Sequence, residues 1–127
     1  MDPQQELFVK LLIELRKEGY RVFDGPIAPE DAKYPFICVG ESQQLDDQNK
    51  TAVFGAVYQT LHVWHNDMHK RGDLSNILLA IKHICRRLEH TKNFDWTVQG
   101  VDQRILTDTT TKEPLLHGVL DVTFKFN

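Results

Sequence analysis

The side chains best suited to chemistry in this sequence are its six histidines and two cysteines. His65 and His69 stand four residues apart, a spacing that on a helix places two imidazoles on one side as zinc ligands. The surrounding pattern points elsewhere. His65 ends a run that reads as a strand, His69 falls in the turn after it, and no glutamate follows His65 as it does in a zinc-hydrolase helix. Zinc also needs three or four ligands, and no third is evident. A small metal-dependent enzyme using His62, His65 and His69 is therefore the most remote reading. His62 and His117 fall on outer faces of strands, and His83 and His90 lie on or just after a basic helix face; all four read as surface histidines. Cys38 and Cys85 sit inside the apolar runs Phe36-Ile37-Cys38-Val39 and His83-Ile84-Cys85. Two such residues without a CxxC indicate neither a disulfide framework nor a thiolate metal cage, but buried free thiols in a reducing compartment.

Other chemistries find no foothold. Ser42 and Ser75 are the only serines, and no Gly-x-Ser-x-Gly elbow frames either. The seven glycines are scattered singly, so no phosphate cradle is formed. No pair of carboxylates sits at strand ends in apolar surroundings that would split their pKa values. Arg71-Gly72-Asp73 reads as a turn followed by a helix cap. The cluster Lys82, Arg86, Arg87, His90 and Lys92 has no interleaved aromatics and reads as a solvated helix face. No catalytic residue, cofactor or metal site is expected.

The chain has 127 residues, the size of one domain, with 41% hydrophobic and 26% charged residues. A net charge of −3 argues against a dedicated binder of nucleic acid or of a membrane surface. Met1 to Glu6 lack the basic start and apolar core of a signal peptide, and no apolar run reaches bilayer length, so a cytoplasmic start is expected.

The elements that position these residues follow from periodicity. Asp2 caps a first helix with Pro3 in its first turn; Leu7, Phe8, Leu11, Leu12 and Leu15 form its apolar stripe, and Gly19 ends it. Tyr20 to Phe23 reads as a short strand, and Tyr34 to Val39 as a strand apolar on both faces and hence central or doubly covered. Glu41 to Lys50 is the most polar stretch and reads as an extended, mobile loop. A long strand spans Ala52 to His65, with Val53, Val57, Leu61 and Val63 on its core face and Phe54, Tyr58, Thr60, His62 and Trp64 on the other. Asp73 is the expected N-cap of a second helix whose stripe is Leu74, Ile77, Leu78, Ile81, Ile84, Cys85 and Leu88. Trp96 to Val101 and Arg104 to Leu106 read as one irregular strand, Thr107 to Pro114 as a polar loop, and Leu116 to Phe126 as a strand with one buried face. The order α-β-β-β-α-β-β predicts an α+β fold: an antiparallel or mixed sheet of four or five strands with both helices on one face.

Two helices cover only one face of such a sheet. Tyr58, His62 and Trp64 are left on the other, where a partner or subunit interface, or a curled sheet or folded-back loop, would cover them.

The whole layout resembles the tail-completion, or tail-terminator, proteins that join tail to head in long non-contractile-tailed bacteriophages. The resemblance rests on the leading amphipathic helix and Tyr20-Arg21-Val22-Phe23-Asp24 with its proline-rich connection. It continues through Tyr34-Pro35-Phe36-Ile37-Cys38-Val39-Gly40-Glu41, Gln59-Thr60-Leu61-His62-Val63-Trp64, and Arg71-Gly72 before the second helix. It ends in His117-Gly118-Val119-Leu120-Asp121-Val122-Thr123-Phe124. It implies a virion structural protein without enzymatic activity, forming a ring, often a hexamer, on the last ring of the tail tube. The partners it implies are further copies of the chain, the tail tube protein and a head-completion or connector protein. DNA would pass through without specific binding, which an acidic lumen favours because affinity grows with each neutralised phosphate. A neighbouring neck protein on the portal side is the alternative. Docking residues under this resemblance are Gln43, Gln44, Leu45, Asp46, Asp47, Gln48, Asn49 and Lys50 of the first polar loop, and Thr109, Thr110 and Thr111 of the second. Tyr58, His62 and Trp64 complete the expected interface.

Overall fold

A computed structural model of the chain describes residues 1–25, 27–48 and 53–127, leaving the side chains of Gln48 and Val53 undescribed. The element order is α1 (Pro3–Lys17), β1 (Val22–Asp24), β2 (Phe36–Gln48), β3 (Val53–His65), α2 (Arg71–Arg87), β4 (Trp96–Asp108) and β5 (Leu115–Phe126). The strands form one five-stranded sheet in the order β1-β2-β3-β5-β4. Only β1 runs parallel to its neighbour; the β2–β3, β3–β5 and β4–β5 pairs are antiparallel. The fold is thus the expected α+β arrangement, with five strands and a mixed sheet.

Both helices lie on one face of that sheet, α1 over β1 and β2, and α2 over β3, β5 and β4. The local causes are those read from the sequence. The Asp2 carboxylate accepts the Gln5 backbone N–H at 3.1 Å, meeting one of the donors that a helix start leaves unpaired. Gly19, at φ +90°, turns the chain out of α1 in a left-handed conformation that costs glycine little. Leu7, Leu11, Leu15, Leu74, Leu78, Ile81 and Cys85 are fully buried, so the two stripes and the facing side of the sheet make the core. The sheet's contribution comes from Ile37, Val39, Val57, Leu61, Val63, Leu120, Val122 and Phe124, each no more than 1% exposed. As expected of a doubly covered strand, Phe36 to Val39 are buried on both faces, between β1 and β3.

Several boundaries differ from expectation. Residues 41–48, expected to be loop, form the second half of β2, paired with β3 from Ser42 opposite Gln59 to Gln48 opposite Val53. Their polarity misled because a strand at a sheet edge, with no second layer over its outer face, needs no apolar face. Asn49 and Lys50 lie outside the described residues. The second helix starts at Arg71 rather than after Asp73, with Lys70 in the cap position and no side-chain cap. Asp73 instead accepts a hydrogen bond from His65, as described below. β1 is Val22–Asp24, and β4 is one irregular strand that runs on through Thr107 and Asp108, leaving a shorter connection to β5.

Candidate functional site: the helix-free face of the sheet

Alternation along β3 divides its side chains between the two faces. Val57, Gln59, Leu61, Val63 and His65 point to the helices; Tyr58, Thr60, His62 and Trp64 point away. This sends His62 and His65 to opposite sides of the sheet, and His69 is exposed in the following turn. The three histidines are therefore not brought together. Among the described residues no group of three His, Cys, Asp or Glu side chains is placed to hold a metal ion.

His65 has a structural task instead. Its ring is buried, with Nε2 donating to the Asp73 carboxylate at 2.8 Å and Nδ1 accepting the Asp67 backbone N–H at 3.1 Å. The end of β3 is thereby tied to the first turn of α2, where a negative charge is favoured by the helix dipole.

The helix-free face carries a connected polar and aromatic row across three strands. Trp64 and His117, partners across β3 and β5, stack with ring centroids 3.8 Å apart and planes 8° from parallel. A contact between ring nitrogens, His62 Nδ1 and His117 Nε2, follows at 2.8 Å. His62 Nε2 in turn meets the Glu41 carboxylate at 2.9 Å. The partners determine the protons. Glu41 can only accept, so His62 carries hydrogen on Nε2 and, when neutral, accepts at Nδ1 from His117 Nε2–H. The direction of donation runs His117 to His62 to Glu41.

Two features of the backbone aim this row. The β2–β3 register shifts between Val39 and Ser42, a bulge that turns Glu41 toward His62. Gln59 Nε2 fastens the bulge from the helix side, donating to the carbonyls of Gly40 at 3.2 Å and Glu41 at 3.1 Å, and to that of Thr60 at 3.0 Å. Gly40 leaves room for the imidazole, since a Cβ there would sit 2.9 Å from His62 Cδ2 and 3.0 Å from Nε2.

Electrostatics follow the packing. Burial, helped by the neighbouring His62, pushes His117 below the usual histidine value, against the opposing pull of Asp108 and Glu41. The hydrogen bond from His62 holds the Glu41 carboxyl below the ordinary carboxylate value. Cys38 is fully buried beneath this face and Cys85 within the core; burial raises both thiols, Cys85 to about 12. Beyond the row, Thr60 Oγ1 donates to Asp121 at 2.6 Å, and Arg104 lies 3.8 Å from the same carboxylate.

The structure places the expected interface residues in three groups. Tyr58 stands 42% exposed on the helix-free face opposite Gln43 of β2, while Trp64 and His62 are half-buried in the row. His62 and His117, read from sequence as separate surface histidines, are a partly buried bonded pair. Gln43, Gln44, Leu45, Asp46 and Asp47 are strand residues, with Gln44 donating to Asp46 at 2.7 Å. Thr109, Thr110 and Thr111 are exposed in the β4–β5 connection, where Asp108 accepts from the Thr110 backbone N–H at 2.8 Å. These last two groups sit at opposite ends of the sheet. Asp46 lies in the row Asp46, Gly55, Phe126 and Trp96, and the threonines follow Asp108, which pairs with Leu115 at the other end. The sequence reading missed Glu41, Gln59 and His117 as parts of the site. His117 facing Trp64 on neighbouring strands was open to inference only with the strand order in hand.

No protein-family model matches the chain, and no curated protein matches it. Among solved structures, a chain described as "Virion of native gene transfer agent (GTA) particle" is similar over 98% of this chain and 93% of its own length. The TM-score is 0.67 at 12% sequence identity. At that identity the shared property is the fold: this chain has the α+β fold of a gene transfer agent virion component.

Proposed function

We propose that the protein is a virion structural subunit that caps the tail tube of a phage-like particle and joins the tail to the head connector. The observation that carries this reading is the end-to-end fold likeness to a chain of a gene transfer agent virion, with 98% of this chain covered. Two further features support it. The helix-free face presents Tyr58 and half-buried aromatics, a composition typical of interface cores. The residues at Gln43 to Asp47 and at Thr109 to Thr111 stand at opposite ends of the sheet, as a subunit held between two partners requires. The chain acts by geometry, closing a ring through repeated contacts between identical copies and meeting the tail tube on one side and the head-completion protein on the other.

Electron microscopy of particles made from a genome with this gene disrupted tests the reading. Filled heads beside detached tails are the expected result, and over-long tubes would identify the subunit that stops tube growth. Intact particles of normal length would overturn it.

A further inference from the structure

The sheet has two open edges. β1 pairs with β2 only at Ile37, Cys38 and Val39, so the rest of β2, from Gly40 to Gln48, has no outer partner among the described residues. At the far side β4 has β5 on one flank; on the other, the Glu89 carbonyl accepts the Trp96 N–H at 2.7 Å and, among the described residues, no strand pairs with the edge from Thr97 to Asp108. Long free edges are templates for pairing, and proteins blunt them with charged side chains, lysine above all, with proline or with bulges. Neither β4 nor the 40–48 segment contains a lysine or a proline; each edge carries one bulge and acidic side chains.

The polarity of the two edges matches. β2 and β5 run one way, β3 and β4 the other. Placing β4 of one copy beside β2 of the next therefore continues the antiparallel pattern without interruption. Such a contact is heterologous and uses both edges at once, the kind that forms a ring when the rotation between copies closes.

Charge tells against pairing two β2 edges. The open part of β2 carries Glu41, Asp46 and Asp47 and no cation, so two β2 edges would set acid against acid. β4 carries Arg104 together with Asp102 and Asp108, and the cleft between its first residues and the end of α2 is lined by Arg86 and His90 as well as Glu89 and Asp95. Asp46 and Trp96 belong to one row across the sheet. In copies related by rotation, the Asp46 end of β2 comes to the Trp96 end of the neighbour's β4. The Asp46 side chain, paired with Gly55 on the helix side, then faces the side of the sheet that bears Arg86.

We infer that copies of this chain join edge to edge, the 40–48 segment of β2 pairing antiparallel with β4 of the next copy to extend one sheet around the ring. The inference rests on the reading of the chain as a ring subunit and specifies the contact.

Cysteine crosslinking of the purified full chain tests it. Gln43→Cys is combined in turn with Thr97→Cys, Gln99→Cys or Asp102→Cys, and for control with Ser75→Cys on the exposed side of α2. The native Cys38 and Cys85 are fully buried and do not compete. The expected result is a ladder of disulfide-linked species beyond the dimer for at least one β2–β4 combination, with the linked peptides identified by mass spectrometry. Three outcomes would overturn it: no combination linking above the control, linkage that stops at dimers, or equal linkage by Gln43→Cys alone. Particle morphology reads the virion role separately. Failed crosslinking with a disrupted-gene defect removes only the edge contact, and a β2–β4 ladder with normal particles from the disrupted genome removes only the virion role.

Discussion

Trp64 and His117 lie face to face at 3.8 Å on the side of the sheet that no helix covers. The stack makes one half-buried unit of two side chains that alternation alone would leave as independent surface groups. It also divides the exposed face. Around the stack the surface is preorganised by hydrogen bonds, whereas Tyr58, earlier on the same strand, stands clear of it with 42% of its surface exposed.

That division predicts different responses to truncation. Tyr58→Ser in the isolated chain is expected to change stability by no more than about 0.5 kcal/mol, as for a surface position. Trp64→Ser strips the cover from His117 and is expected to cost about 1–3 kcal/mol. Urea unfolding of the two variants checks this, and equal losses would show that Tyr58 is core. The same Tyr58→Ser change is expected to weaken assembly while leaving folding intact, read by particle incorporation.

The His117–His62–Glu41 row predicts a pH dependence of one sign. The folded state lowers His117 below its value of 6.5, so below that pH the unfolded chain binds more protons than the folded one. Stability is full above 6.5 and falls as pH drops from 6.5 toward the lower folded value. Glu41, lowered from 4.5, acts in the same direction at more acid pH: its contribution is present above 4.5 and is lost as pH falls through the folded value. His117→Phe retains a ring against Trp64 and removes the titration. It is expected to flatten the slope of unfolding free energy just below pH 6.5, measured by denaturant titration at stepped pH.

Gln59 offers a near-isosteric test of the bulge. Its amide nitrogen supplies three carbonyls, and its Oε1 has no hydrogen-bond partner among the described residues. Gln59→Leu abolishes the donor and is expected to cost about 1–3 kcal/mol through the unpaired carbonyls. Gln59→Glu has the same shape but turns an acceptor toward those carbonyls and buries a charge, and is expected to cost more. Thermal unfolding ranks the variants; wild-type stability in both would show that the bulge needs no side-chain support.

At Gly40 the constraint is space. Gly40→Ala sets a methyl group against the His62 ring and is expected to displace the imidazole, breaking its contact with Glu41 or His117. The readout is the His62 and His117 imidazole NMR signals, which should shift together while the core methyl signals remain in place.

Much of this architecture was legible before any coordinates. The stripes of Leu7, Leu11 and Leu15 and of Leu74, Leu78 and Ile81 recur at the helical period, and the alternation from Leu116 to Phe126 marks a half-buried strand, because burial on one side of a regular element writes its period into the chain. Those local signals determined the elements, their order and the two-layer class. They did not determine the far half of β2. Glu41 to Gln48 are polar because they lie at an edge, and edge membership depends on which strands sit next to it. Nor could they pair His117 with His62 and Trp64, which lie far from it in sequence. Strand order, register and the bulge after Val39 bring these three together with Glu41 and Gln59. Alternation along a strand is a property of the chain, but the neighbour across the ladder is a property of the sheet, and the composition of this face was decided only when β3 and β5 came side by side.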